Sequence, residues 1–498
     1  MSKSAQSAAL VVIAALLFVL PATADAKRPR FGSFKQVGHE PLMNRGMNAA
    51  IAINGDFAYI GSRTDGGHPG MPHGGILVVD ISNPRKPKLL GPPLDARPGE
   101  SSRELRVWRS QDILIVLNTN CGVGPTLHHC TQPSISNVRV YDISGASARR
   151  PQLLNQFDVD THEFFLWVDP KNRNRALMFA GSARSACSTR GGSPSCPLSV
   201  WDISPVRDGQ PPVTLYSGLH GYTQFPAPPA MEQIPTGSLH SLTVSNDGSR
   251  AYYALLEGGF AVVDMLDFAR GASSPQPHPI TINQSRPFWA GPGAHSAIKL
   301  WGRNWAWVSD EVYGTATGEG HGCPWGWARM VNISDPRVPE VKAEYKIAQN
   351  DATQCGTWEP RPQTSYSAHN PTQTPHIVFT TWHSGGLQAV SVEKPRQPYR
   401  LARFMPKPLD QVMLEDPRLS SDPDTGNGEK VVMWSYPVIK DGLIYVVDLR
   451  NGLYVLKYRG RFRNEVKRIN FLEGNSNQGA ALCYEPVGRA PQSCKTKR

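Results

Sequence analysis

The chain has 498 residues, with 52 Lys and Arg against 41 Asp and Glu and a formal net charge of +11. The basic excess is diffuse, with no basic helix and no interleaved aromatic array, which argues against nucleic acid binding. Because 40% of residues are hydrophobic, the 45 Gly and 44 Pro fit a turn-rich all-β protein and exclude a disordered one.

The first 26 residues read as a cleavable signal peptide. Lys3 supplies the basic start, Ala8 to Leu20 the apolar core and Ala22-Thr23-Ala24 or Ala24-Asp25-Ala26 the small-residue cleavage site. A membrane anchor is the competing reading, but the run is short and polar residues follow at once. No later segment is long enough to span a bilayer, so a secreted or periplasmic protein is expected. Eight cysteines suit an oxidising compartment. Cys121–Cys130 and Cys187–Cys196 enclose loops of equal length, which favours two local disulfides. Cys323 with Cys355 and Cys483 with Cys494 are the natural remaining pairs among the connectivities the sequence allows. A Cys-rich metal cluster is the rival reading, although no Cys-x-x-Cys spacing occurs.

From residue 27 to residue 463 one phrase recurs. It runs Ile76-Leu77-Val78-Val79-Asp80-Ile81-Ser82-Asn83-Pro84, then Val138 to Ser144, Leu198 to Pro205 and Gly258 to Asp264. Degraded copies follow at Ala328 to Pro336, Gly385 to Ser391 and Asn451 to Leu456. A β-rich pair precedes each copy, as in Ala50 to Ile53, the turn Asn54-Gly55-Asp56 and Phe57 to Ile60. A fourth run, such as Pro87 to Gly91, comes after it. Asn-Gly or Asp-Gly between alternating runs signals a tight hairpin. Four short strands repeated seven times predict an all-β, seven-bladed β-propeller of four-stranded blades. The seventh copy lacks its own fourth run, and Phe34 to Gly38 is a spare one, so the N-terminal strand is expected to close the ring within the last blade. An open β-solenoid is the alternative. Residues 464–498 read as a disulfide-clipped C-terminal extension packed on the propeller.

The phrase from Ile76 to Pro84 resembles the LVIVD-repeat family of secreted or periplasmic β-propellers, and its copies cover most of the chain. The resemblance implies a fold and a compartment; most members of that family have no assigned chemistry.

In a propeller, the first strand of each blade starts on the face to which the second-to-third-strand loop returns. Those loops are long here, as in Gly66 to His73, Cys121 to Cys130, Cys187 to Cys196 and Tyr313 to Trp325, so function is expected on that face. The first-strand starts are Asn48, Arg103, His162, His240, His295, His369 and Ser435. With 14 His in 498 residues, about 0.2 would fall on seven positions by chance, against four found. Neutral imidazole is a favoured ligand for copper, non-haem iron and zinc. His162, His240, His295 and His369 are therefore the candidate metal ligands, with copper or iron favoured over zinc. Glu163 and Glu104 would orient imidazoles through their second nitrogens, and Arg103 would bind a substrate anion or make a structural salt bridge. Channel-lining His without a metal is the competing reading. His383 and His73 are expected farther from the axis, His376 on the opposite face, and His128 and His129 at the surface.

A His-lined propeller channel is similar in outline to carotenoid cleavage oxygenases and to methanethiol oxidases of the selenium-binding type. That likeness implies a metal-dependent oxidoreductase acting on a small molecule within the channel, with Glu163, Arg103 and Glu104 as candidate catalytic groups. A non-catalytic scaffold is the alternative, taking a protein or glycan partner on the loop face near Trp325, Trp327, Trp358 and Trp382. Metal-assisted hydrolase or lyase chemistry is a third expectation.

Overall fold

A computed structural model describes residues 31–63, 74–97, 100–120, 136–159, 161, 163–181, 198–218, 239–256, 258–281, 293–311, 324–354, 365–413, 430–469 and 471–474. His162, the eight cysteines, residues 1–26 and the histidines at 68, 73, 128, 129 and 321 lie outside the described residues. The protein is all-β, with a propeller-like arrangement of antiparallel sheets and almost no helix. No helix among the described residues is long and apolar enough to cross a membrane.

The local chemistry of the repeat explains its phrase. Asp80, Asp142, Asp202 and Asp264 each end a strand, and each accepts a backbone N–H from the residue two further on, at 2.8–3.0 Å. Asn332 does the same for Ser334 at 3.1 Å. A short polar side chain that mimics a backbone turn stops the strand at a fixed point, so these five copies break at the same place. The Asp441-Gly442 pair has φ of +52° and +76°, the two left-handed residues that a tight hairpin matching the strand twist requires.

Four sheets have four strands each, with first strands at Glu163–Val168, Ser241–Val244, Ala294–Lys299 and Pro371–Gln373. An eight-stranded sheet precedes them. It consists of a group beginning at Asn48–Asn54 and a group beginning at Glu100–Trp108, joined by the single pairing Ser62 with Ser102. The remaining five-stranded sheet contains Val438–Lys440, Leu443–Asp448 and Gly452–Arg459. Ser33–Glu40 pairs with its outer edge and Phe471–Leu472 with its inner strand. The N-terminal strand thus hydrogen-bonds the C-terminal repeat in antiparallel register from Ser33 with Arg459 to Glu40 with Leu453.

The apolar core is divided among the gaps between consecutive sheets. Phe165, Trp167 and Phe179 pack on Leu242, Tyr253 and Val263, while Trp307 and Met330 pack on Val378 and Val390. One cluster joins Val438, Tyr445 and Val455 of the last sheet to Ile51, Ile53 and Tyr59 near the N-terminus. Stacking sheets face to face in this way brings their first strands side by side. Thr243 of one donates its hydroxyl to the Ala297 carbonyl of the next, at 2.8 Å.

Candidate metal centre

Two topological positions build the site. The first is the start of each first strand, where the repeat places His240 just before Ser241–Val244, His295 within Ala294–Lys299 and His369 two residues before Pro371–Gln373. Pairing irregularities help aim these side chains. The register shifts between Ala294 and Ser296, isolating His295, and between Ser102 and Glu104, isolating Arg103. A bulged residue leaves the ladder and turns its side chain off the pleat. The second position is the end of the next strand, which returns to the same face. Glu311 directly follows Trp305–Asp310, and His383 lies two residues beyond Ile377–Thr381.

The imidazoles form a continuous stack. Ring centroids are 4.0 Å apart for His240 and His295, 4.2 Å for His295 and His369, and 5.1 Å for His369 and His383. Two carboxylates are threaded among them. Glu163 lies 3.3 Å from His295 Nε2 and 3.9 Å from His240 Nδ1. Glu311 lies 3.3 Å from His295 Nε2 and 3.1 Å from Nε2 of both His369 and His383. The ligating atoms of Glu163, His240 and His295 all fall within 4.8 Å of one another, and so do those of His295, Glu311 and His369.

The outer hydrogen bonds fix which nitrogen faces inward. His369 Nδ1 lies 2.6 Å from the Trp434 carbonyl, which can only accept, so Nδ1 carries the proton. Ser296 donates its hydroxyl to Asn370 Oδ1 at 3.0 Å and therefore accepts from His295 Nδ1 at 2.7 Å. In their neutral forms both rings then present an Nε2 lone pair to the carboxylates. Neither Nε2 has a hydrogen bond of acceptable geometry, and Glu163 Oε1 has none either.

Burial works against positive charge on His240, His295 and His383. It lowers His240 to about 3, with the neighbouring His295 adding to the effect. Burial also holds His295 well below the usual histidine range, and it lowers His383 against the opposing pull of Glu311. For Glu311, burial works against ionisation, and positive charge at its His369 and His295 neighbours is what holds the carboxyl well below its ordinary range. Carboxylate oxygens facing the lone pairs of neutral rings at 3.1–3.3 Å in a buried site repel them unless a cation or a shared proton sits between. The two donor sets, each of two imidazoles and one carboxylate with His295 common to both, fit a divalent transition metal.

The other sequence candidates have different surroundings. Arg103 lies beside the cluster, its guanidinium 5.6 Å from the Trp434 ring. Glu104 is paired with the guanidinium of Arg106 at 2.9 Å, and both are almost fully buried. The bulge turns Glu104 to that partner, and the groups holding the imidazoles are Ser296 and the Trp434 carbonyl, with Ser365 3.0 Å from His383 Nδ1. Glu163 stands among the candidate ligand atoms, facing His295 Nε2 and His240 Nδ1. Asn48 bonds to Arg45 and to the Leu449 carbonyl across the seam with the last sheet, and Ser435 bonds to the Val447 backbone within that last sheet. His376 is bound to Glu465 at 2.5 Å, remote from the cluster, as an opposite-face residue would be.

His383 corrects the expectation from its sequence phase. Its φ of +35° and its bridge to Met433 turn the ring inward from a position that regular strand geometry would place farther out. Glu311 was missed altogether. Its signal is the rule that second-strand ends share a face with first-strand starts.

Neither a family model nor a curated protein matches the chain. Among solved structures it is similar to Sqt1 from Chaetomium thermophilum, seen bound to the N-terminus of ribosomal protein L10. The identity is 13%, the match covers 84% of this chain and 89% of that one, and the TM-score is 0.43. Raptor from the same organism gives 11% identity over 86% of this chain and 30% of its own, with a TM-score of 0.46. A hypothetical selenium-binding protein from Sulfolobus tokodaii gives 12% identity over 63% and 72%, with a TM-score of 0.40.

Proposed function

We propose that this chain is an exported, seven-bladed β-propeller of the LVIVD-repeat type, closed by its N-terminal strand, whose axial histidine–glutamate cluster binds a redox metal and oxidises a small molecule. The seven-blade count is supported by the eight-stranded sheet, whose two halves meet at one residue pair. Closure is supported by the pairing of Ser33–Glu40 with Gly452–Arg459.

The observation that carries the metal reading is the convergence of His240, His295, His369 and His383 on Glu163 and Glu311, with inward lone pairs on His295 and His369. Two histidines with one carboxylate, and positions left for other ligands, are the donor set of non-haem iron oxygenases, which places iron ahead of copper and zinc. Bound iron supplies one-electron and O₂ chemistry. The protein's own part is to bury the donor set and fix the Nε2 atoms of His295 and His369 inward.

The test is reconstitution under anaerobic conditions with Fe(II), Cu(II) or Zn(II), followed by O₂ uptake across a panel of small thiols, phenols and alkenes. Iron- or copper-dependent uptake that disappears in His295→Ala and Glu311→Gln is expected. Stoichiometric zinc with hydrolytic activity and no O₂ uptake would replace the redox assignment with a hydrolytic one.

A further inference from the structure

The cluster occupies one side of the two rings of positions that build it. The sheets whose first strands are Ser241–Val244, Ala294–Lys299 and Pro371–Gln373 supply His240, His295 and His369 at first-strand starts and Glu311 and His383 at second-strand ends. In the eight-stranded sheet, the same two positions are filled by arginine. Arg103 is the bulged residue at a first-strand start, and Arg63 directly follows the strand Phe57–Ser62. Trp434, next to the first-strand start of the last sheet, completes this side. Its ring is tilted 31° against His369 with centroids 4.9 Å apart. The guanidinium carbons of Arg63 and Arg103 lie 5.7 and 5.6 Å from the same indole. One indole thus touches a metal-facing imidazole and both cations.

Charge connects the two halves. Arg103 acts electrostatically on His240 and His295, and Arg63 on His383. Arg63 is only 4% exposed. Guanidinium groups are the side chains best matched to an oxyanion, through paired N–H donors in one plane. The indole beside both offers an aromatic surface of one ring's width.

From this we infer that the substrate of the metal centre is a small organic anion, whose oxyanion group is held by Arg63 and Arg103 and whose apolar body lies along Trp434. The inference rests on the metal reading above. It commits to the oxyanion class, and carboxylate, sulfonate and phosphate are separated by the assay.

The probes are acetate, methanesulfonate and inorganic phosphate, with acetamide as the neutral counterpart of acetate. Each is titrated calorimetrically into the metal-loaded full-length protein, with metal content measured on the same samples. At least one anion should bind the wild type and acetamide should not. Arg103→Gln and Arg63→Gln should each weaken that anion about 10- to 100-fold while leaving metal stoichiometry and the melting temperature unchanged. Arg103→Lys should restore part of the affinity. Arg103 is the more exposed of the two, so its variant carries the test if Arg63→Gln does not fold. Anion affinities unchanged in the arginine variants, or acetamide binding as well as acetate, with metal retained, would overturn this inference alone. Wild-type protein that takes up no metal would overturn the metal reading and this inference together.

Discussion

Glu311 is the residue on which a metal centre should depend most, because one carboxylate approaches three imidazoles within 3.3 Å. Glu311→Gln keeps the shape and removes the charge that faces those nitrogens. A ligand present at about one hundred times its dissociation constant stabilises the folded state by about 2.7 kcal/mol. At about 2.1 cal/mol/K per residue, a chain of this length unfolds with an entropy of roughly 1 kcal/mol/K, so metal at that concentration should raise the melting temperature by about 3 °C. Loss of groups that merely support a metal ligand typically costs 10- to 100-fold in affinity, and loss of a charged ligand should cost at least the upper figure. At the same metal concentration the variant then gains only about 0.4 kcal/mol, a shift of under about 1 °C. Paired thermal melts with and without metal read this difference within each protein, so any change in the metal-free stability of the variant cancels. A metal-induced shift in Glu311→Gln equal to that of the wild type would refute the placement of Glu311 in the ligand set.

Ser296→Ala removes the acceptor that fixes His295 Nδ1 and should weaken metal binding about 10- to 100-fold with the fold retained; equal calorimetric affinities would show that the hydroxyl does not orient the ring. Glu473 is buried beside Tyr436 and Arg106 and pushed up to about 8, chiefly by burial and against the pull of Arg106. Its folded form holds a proton that the unfolded chain loses near 4.5, so its stabilising contribution is complete below that pH and disappears as pH rises through about 8, at most roughly 5 kcal/mol in all. The wild-type melting temperature should therefore fall between pH 6 and 9 relative to Glu473→Gln, whose amide stays neutral, and parallel curves would contradict the raised value. Gly452 has φ of +97° where Gly452–Arg459 meets the N-terminal strand, and a Cβ there would lie 2.3 Å from the Glu40 carbonyl; Gly452→Ala should cost about 1–3 kcal/mol or more in chemical denaturation, and an unchanged midpoint would argue against that seam.

The sheets were legible because their turns are written in the chain. Asp80, Asp142, Asp202 and Asp264 each end a strand through a side-chain bond that depends on sequence neighbours alone. The ring positions of His240, His295 and His369 were legible for the related reason that a repeat fixes phase. Glu311 and His383 were not, since no repeated phrase marks the end of a second strand and His383 relies on a left-handed backbone. The destination of Glu104 was hidden by the bulge before it, which reverses the alternation from which its direction would be read. Nor could local pattern reveal that Arg106 would bond the Tyr436 hydroxyl, 330 residues away, at 2.6 Å.

The most direct measurement is metal stoichiometry by elemental analysis. It should compare wild-type protein, grown and purified with iron, copper and zinc all supplied, with the His240→Ala/His295→Ala/His369→Ala/His383→Ala variant and with His376→Ala as a control far from the cluster. The account predicts at least one equivalent of transition metal in the wild type and in His376→Ala, and none in the quadruple variant. Metal-free wild-type protein, or a quadruple variant that keeps its metal, would contradict it.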